Sequence, residues 1–238
     1  MSVEPVAATI AGIREATPTV RVFTLVPSEA LVYRAGQWLD LLVDRDGELL
    51  VGGYSLTSSP LVQGSVEIAV KRAREHAATR YLHERAAVGE RVLIAGGQGQ
   101  CTFEAGMAPA LVLLAGGIGI TPLMSIVRYA REAAPEVAIT LLHSAGVADE
   151  LLFREELTAL AEASGGRLRC RFLVSRGSGP LPAGVERGRI DRDRLGAFAI
   201  DRDAVCYVCG PPGMIDDLER ALLTLGVERG RIRYERWW

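Results

Sequence analysis

Apolar and polar positions follow two regimes along the chain. From Val3 to about Phe103, runs at residues 20–25, 38–43 and 66–70 alternate apolar with polar side chains, as strands with one face in a core and one in water do. Turn residues such as Asp44-Arg45-Asp46-Gly47 separate them, and one helical stretch near 77–87 interrupts them. Several short strands with a single helix predict a small antiparallel barrel. After Glu104 to Pro109 the rhythm changes: apolar runs at 111–115, 138–143, 168–175 and 205–209 alternate with helical periodicity near 122–132, 150–163 and 212–225. That order predicts a parallel sheet wound by right-handed crossovers. The expected fold is two-domain, an antiparallel β-barrel over residues 1–106 and an α/β parallel-sheet domain over 107–238.

The second domain opens on the most informative stretch. Residues 111–115 are apolar at every position, which suits a parallel strand covered on both faces. Gly116, Gly117 and Gly119 follow and make a turn against which a bulky group can lie. Thr121-Pro122 then opens a helix, with Thr121 as N-cap and Pro122 at the first helical position, where its missing N–H costs nothing. The free N–H groups of that helix carry roughly half a positive charge toward the turn, a place for a phosphate or a dinucleotide. The spacing is not G-x-G-x-x-G, and an ordinary tight strand-to-helix turn would also fit these residues.

Composition narrows the classes. At 238 residues with 49% hydrophobic content the chain can hold two ordinary cores or one large one. A net charge of -2 leaves no nucleic-acid footprint. No apolar run reaches membrane-spanning length, and Met1-Ser2-Val3-Glu4-Pro5 is neither basic nor apolar, so a cytoplasmic protein without a membrane span is expected. Cys101, Cys170, Cys206 and Cys209 are too few and too irregular for a disulfide framework. Cys206 and Cys209 form a C-x-x-C, open to a redox or metal reading, but they lie in an apolar strand-like run without a second pair. No iron-sulfur spacing occurs, and no metal site is expected.

The segment Gly116-Gly117-Ile118-Gly119-Ile120-Thr121-Pro122 resembles the nicotinamide turn of the ferredoxin-NADP reductase family, G-G-x-G-x-[ST]-P. Tyr207-Val208-Cys209-Gly210-Pro211-Pro212-Gly213-Met214 is similar to that family's second marker, a strand ending in Cys-Gly-Pro-Pro. In the first half, Gly36-Gln37-Trp38, Gly52-Gly53-Tyr54-Ser55-Leu56-Thr57-Ser58 and the loop from Gly96 to Phe103 also resemble family segments, so the likeness spans essentially the whole chain. Gly-Gly-Tyr-Ser in place of Arg-x-Tyr-Ser, together with the terminal Trp237-Trp238, is most similar to the subgroup called oxidoreductase NAD-binding domain-containing proteins.

The resemblance implies an FAD-binding barrel and a nicotinamide-nucleotide domain. By it, Tyr54 would lie against the isoalloxazine ring and the Ser55 hydroxyl near flavin N5, with Leu56, Thr57, Ser58 and Val70 among the flavin contacts. The family's phosphate-pairing arginine is replaced by Gly52, a loss of roughly 1.5–3 kcal/mol, or about one to two decades in affinity, unless Arg72 or Arg80 substitutes. His76 to Leu82 resembles the helix that receives the pyrophosphate; Thr79 keeps a hydroxyl there, and His76 stands where the family has glycine. An arginine usual in the loop after the second parallel strand is missing, with Ala145 or Gly146 in its place. Ser175 and Arg176 match a pair that holds the 2'-phosphate, so NADP(H) is expected over NAD(H). Cys209, Gly210, Pro211 and Met214 would flank the nicotinamide, Trp237 or Trp238 would cover the flavin, and Ser55, Cys209 and Glu235 form the expected catalytic set. The implied activity is hydride transfer from NAD(P)H to FAD, then electron transfer to a separate acceptor such as ferredoxin, flavodoxin or another protein. A free-flavin reductase and a non-catalytic nucleotide-binding module are the alternatives, and the oligomeric state is left open.

Overall fold

A computed structural model of the chain describes residues 4–45, 47–198, 200, 201 and 203–236. The first half forms β1 (Val6–Thr17), β2 (Val20–Pro27), β3 (Trp38–Arg45), β4 (Glu48–Ser55), β5 (Val66–Lys71), α1 (Ala77–Glu84) and β6 (Arg91–Gln98). The strands make one six-stranded antiparallel sheet in the order β4-β3-β6-β1-β2-β5. Alternation sinks one face of it: Leu39, Leu41 and Val43 of β3 join Ile10, Phe23, Ile68 and Ile94 in a buried core that α1 covers with Leu82. The two edge strands meet just past β4, where Leu56 bridges Ile68 and the Thr57 N–H donates to the Glu67 carbonyl at 2.8 Å. The segment after Tyr54-Ser55 therefore closes the sheet on itself, which removes its exposed edges there.

The second half alternates as expected. Its elements are β7 (Ala110–Gly116), α2 (Ile120–Ala133), β8 (Ala138–Ala145), α3 (Arg154–Ala163), β9 (Leu168–Val174), β10 (Val185–Arg187), α4 (Arg192–Gly196), β11 (Val205–Cys209), α5 (Pro212–Thr224) and β12 (Ile232–Tyr234). The sheet is parallel throughout, in the order β10-β9-β8-β7-β11-β12. The unbroken apolar run of β7 follows from its central place: Leu111, Leu113 and Ala115 face one core and Val112 and Leu114 another. α3 begins at Arg154, later than the pattern predicts. Residues 148–150 form a separate 3-10 turn, and Phe153 takes a left-handed φ of 61°, which no continuous helix tolerates. Among the described residues no helix is long and apolar enough to cross a membrane.

The two sheets share a core. Val20, Val22 and Ala69 of the barrel belong to the same buried cluster as Leu123, Ile126 and Val127 of α2. Across this seam the Ser125 hydroxyl donates to the Ser58 carbonyl at 2.6 Å. Arg128 of α2 then donates to Glu67 Oε1 at 2.8 Å and the Thr57 carbonyl at 2.9 Å, and grips Glu156 of α3 with two bonds of 2.7 Å. Its guanidinium lies 5.2 Å from the ring centroid of Phe153, so the strained backbone there brings an aromatic face under the charge. Burial alone would disfavour this cation, and the carboxylates of Glu156 and Glu67 more than offset that. Arg128→Ala should lower the unfolding free energy by about 2–4 kcal/mol, since it leaves Glu67 and Glu156 half-buried without their cation. Thermal unfolding followed by circular dichroism reads the change, and an unaltered melting temperature would mean the clamp contributes nothing.

Candidate active site

The strand order reverses between β7 and β11, which leave β7 as the common origin of both wings of the sheet. In open α/β sheets a ligand settles at the carboxyl ends of such a pair. There the three glycines of the turn do different work. A Cβ on Gly116 would collide with Met214 and Pro211, and one on Gly119 would run into the Cys209 carbonyl, so both glycines let β7 and β11 approach. Gly117 alone combines a left-handed φ of 55° with nothing within 4 Å of the place a Cβ would take. Of the three, only Gly117 has open space at its Cβ position, while those of Gly116 and Gly119 are filled by the chain itself.

The expectation that Thr121 is the N-cap is corrected. α2 starts at Ile120 after a 3-10 turn over Gly117–Gly119, and its N-cap is Gly119 with no side-chain cap. The Thr121 hydroxyl instead donates to the Ile118 carbonyl at 2.9 Å, which tightens the turn. Beneath it, His143 of β8 is fully buried with Nε2 at 3.0 Å from the Gly117 carbonyl.

At the end of β11, Cys209 is buried, and burial followed by the nearby Glu235 charge pushes its thiol up to about 12. It is a neutral contact group at working pH and not a thiolate nucleophile. Cys206, whose thiol burial also pushes to about 12, lies in a different core cluster on the opposite face of the strand. β12 carries Glu235 across to the barrel. Its Oε1 accepts from the N–H groups of Gln100 at 2.7 Å and Cys101 at 3.1 Å. Cys209 and Glu235 thus stand at the seam between the halves, joined to the barrel loop beside Trp38.

On the barrel side, β4 brings Tyr54 and Ser55 to the strand end. Tyr54 is 9% exposed, and its hydroxyl hydrogen-bonds that of Thr79 on α1 at 3.0 Å. Its ring runs back over Gly52, where a Cβ would lie 2.5 Å from the tyrosine oxygen. The half-buried Ser55 hydroxyl has no protein partner among the described residues. Leu56, Thr57 and Ser58 are turned inward: Thr57 Oγ1 donates to Glu67 at 2.6 Å, and Ser58 Oγ accepts from the Glu67 N–H at 3.0 Å and meets the Tyr33 hydroxyl at 2.9 Å. Their side chains serve the seam and the core, and barrel closure engages their polar groups. Val70 is likewise a core residue at 1% exposed.

Of the two candidate cations, Arg80 lines a cavity of about 250 Å³ between the β3–β4 hairpin and α1, with Arg45, Glu48, Tyr81 and Arg85 around it; Arg72 does not. His76 is exposed at the N-cap of α1 and gives no side-chain cap, so the first-turn N–H groups are left without one. On the nucleotide side Ser175 and Arg176 are exposed past β9. A Cβ on Gly146 would strike the Arg176 guanidinium, so that side chain fills the place of the arginine missing from the preceding loop. Trp237 and Trp238 lie outside the described residues. Sequence reasoning gave no role to Arg128, Glu67, Ser125, Arg45 or His143. An arginine in the apolar middle of the helix 120–133, one turn before Arg131, was the signal available for Arg128.

These residues fit a nicotinamide nucleotide and a flavin. Gly117 leaves an open cradle at the switch point, Arg176 offers an exposed cation past β9 against Gly146, and Ser55 offers a hydroxyl without a protein partner among the described residues at the end of β4. Residues 9–103 match the family described as Oxidoreductase FAD-binding domain, and residues 113–220 the one described as Oxidoreductase NAD-binding domain. Oxidoreductase NAD-binding domain-containing protein 1 of Xenopus laevis is 32% identical over 97% of this chain and 79% of its own length. Ferredoxin--NADP reductase B of Sorangium cellulosum is 31% identical over 98% of each. Among solved structures, the flavohem-like FAD/NAD binding domain of nitric oxide dioxygenase from Vibrio cholerae superposes with a TM-score of 0.86 at 25% identity, covering 98% of both chains.

Gly119→Ala should destabilise by about 3 kcal/mol or more, because its methyl meets backbone that cannot yield. Gly117→Ala, with open space and only a left-handed φ to sustain, should cost about 1 kcal/mol. Urea unfolding of the pair reads the contrast, and equal losses would contradict the division of labour. His143 adds a pH dependence. Burial lowers its value from 6.5 to about 4, so between those limits the unfolded chain binds the extra proton. Its contribution is complete above about pH 6.5 and falls as pH drops toward 4, by up to ~1.4 kcal/mol per unit. Unfolding at pH 7 and pH 5 should show this slope, and His143→Leu should flatten it.

Proposed function

Since the chain belongs to the ferredoxin-NADP reductase-like family of FAD- and NAD-binding oxidoreductases, we propose that it is an NAD(P)H-dependent flavin oxidoreductase serving a separate electron acceptor. A dihydronicotinamide held at the Gly117 turn would supply hydride to a flavin held by the barrel, and those groups would carry the redox chemistry. The work of the chain is to hold the two groups together and dry. The observation that carries this reading is that Glu235, whose charge reaches Cys209 at the end of the parallel sheet, is bonded to the barrel loop at Gln100 and Cys101, beside Trp38, the cross-strand partner of Ser55.

Each residue has a task that its surroundings suit. The Ser55 hydroxyl can donate or accept, so it can follow a ring nitrogen through a change of redox state. Cys209, small and neutral, fills space beside a nicotinamide without competing for its hydrogen bonds. Glu235, anchored by two backbone N–H groups of the barrel loop, ties the end of the nucleotide sheet to the flavin half. Arg80, with Arg45 and Arg85 close by, supplies positive charge near the start of α1, as Gly52 cannot. Arg176 over Gly146 supports NADP(H) over NAD(H), because a planar cation there suits a 2'-phosphate.

A free-flavin reductase is a second reading, favoured by one observation. The space of the family's phosphate-pairing arginine is taken by the neutral Tyr54–Thr79 pair, so the hold on the flavin is weaker. The visible spectrum of freshly purified protein, before and after FAD is added, separates the readings. A bound flavin spectrum that NADPH bleaches is expected; a colourless protein that oxidises NADPH only with excess flavin selects the second reading, and no association with any flavin overturns both. Arg176→Gln should lower kcat/KM for NADPH about 10-fold or more while barely changing that for NADH, as loss of a charge-assisted contact would. An enzyme that already prefers NADH contradicts the assignment.

A further inference from the structure

His143 has no part in the reading above, yet its setting is unusual. It lies on β8 beside Ala115 of β7 and Phe172 of β9, fully buried in an apolar row. Nε2 is 3.0 Å from the Gly117 carbonyl, which can only accept, so Nε2 carries the proton. Nδ1 is then a bare acceptor, buried and without a partner among the described residues. Burial keeps the ring neutral at ordinary pH. An apolar side chain would fill this row without stranding a nitrogen, so the imidazole is a poor choice for packing alone.

We propose that His143 is a positioning residue for nicotinamide-nucleotide binding, which sets the Gly117 peptide from beneath and so aims the open turn at its ligand. The Gly117 carbonyl also accepts from the Ile120 N–H, and the two donors together fix its direction inward. In a trans peptide the following N–H is antiparallel to the carbonyl. Drawing the carbonyl toward the core therefore turns the Ile118 N–H outward, to the side where Gly117 leaves space. Gly117, at a φ of 55°, has access to many other conformations, and the imidazole selects one of them before the ligand arrives.

This rests on the nucleotide reading given above, and the test separates the two. NADP+ and NAD+ are titrated calorimetrically into the full-length chain and its variants, with melting temperatures taken alongside. His143→Leu should weaken nucleotide binding about 10-fold or more, as loss of a preorganising hydrogen bond would, with a melting temperature unchanged or higher. His143→Gln, which keeps a donor of similar reach, should stay within about threefold of the parent. Parent-like binding by His143→Leu, or equal weakening in both variants that follows their melting temperatures, overturns the proposal and leaves the nucleotide reading standing. A parent chain that binds neither nucleotide overturns that reading and this proposal with it. Should His143→Leu fail to fold, nitrogen-15 NMR of the parent decides: an Nε2-protonated ring whose resonance moves on NADP+ saturation is expected, and an unmoved resonance overturns the role.

Discussion

The joint between the two halves of this site hangs on one half-buried cation, Arg128. A hydride donor and its acceptor must meet within a fraction of an ångström, and here they would be carried by separate sheets of a single chain. Arg128 makes those sheets one body. It reads the Thr57 carbonyl and Glu67 on the barrel, and it holds Glu156 on the next helix of the nucleotide half. An arginine suits this because its planar fork serves several acceptors at fixed angles, which a lysine could not do. The apolar part of the seam supplies the cohesion, and the ionic part supplies the register. Buried charge is seldom a cheap route to stability, so its use at a joint between two binding halves points to geometry as the gain.

The same economy appears at the strand ends. β7 and β11 end almost in contact because glycine occupies both sides of the approach, and this leaves Cys209 against Gly119 at the switch point. The barrel closes through Leu56 and Thr57, directly after Tyr54 and Ser55. Barrel closure and domain seam are therefore carried by one short stretch next to Tyr54 and Ser55, and a displacement in either is felt by the other. Ser58 makes the connection concrete: its carbonyl takes the Ser125 hydroxyl from α2 while its own hydroxyl is held by the barrel.

Much of this was legible in the sequence, and what was not has physical causes. β7, β8, β9 and β11 announce themselves as apolar runs because they are covered on both faces. β1 did not, since shifts in its register between Ile10 and Gly12 and between Glu15 and Thr17 break the alternation that marks a strand. The start of α3 was misread because Glu150 looks like a first-turn acid, and nothing in the letters signals a left-handed phenylalanine. At the site, a glycine motif tells that backbones come close but not which glycine admits a ligand and which admits another strand. Thr57 and Ser58 carry polar groups that look available in sequence and are spent in the fold. The clamp was invisible for a related reason, as its partners lie 28 to 71 positions from Arg128 along the chain.

Gly52 shapes the barrel side of the site. Without a side chain at that position, the Tyr54 ring can lie back along its own strand and bond to Thr79, so a neutral pair sits where charge would otherwise be. The nearest cluster of cations lies further out, in the cavity between the β3–β4 hairpin and α1, where Arg45, Arg80 and Arg85 outnumber Glu48 and Glu84. A cation near solvent is screened and holds an anion less firmly than one under an aromatic ring. A flavin held mainly by its ring, with its phosphates loosely kept, would exchange more readily than one gripped at both ends. The seam then matters more, since the geometry of transfer would depend on how Arg128 fixes the two sheets and less on how tightly either cofactor is tethered.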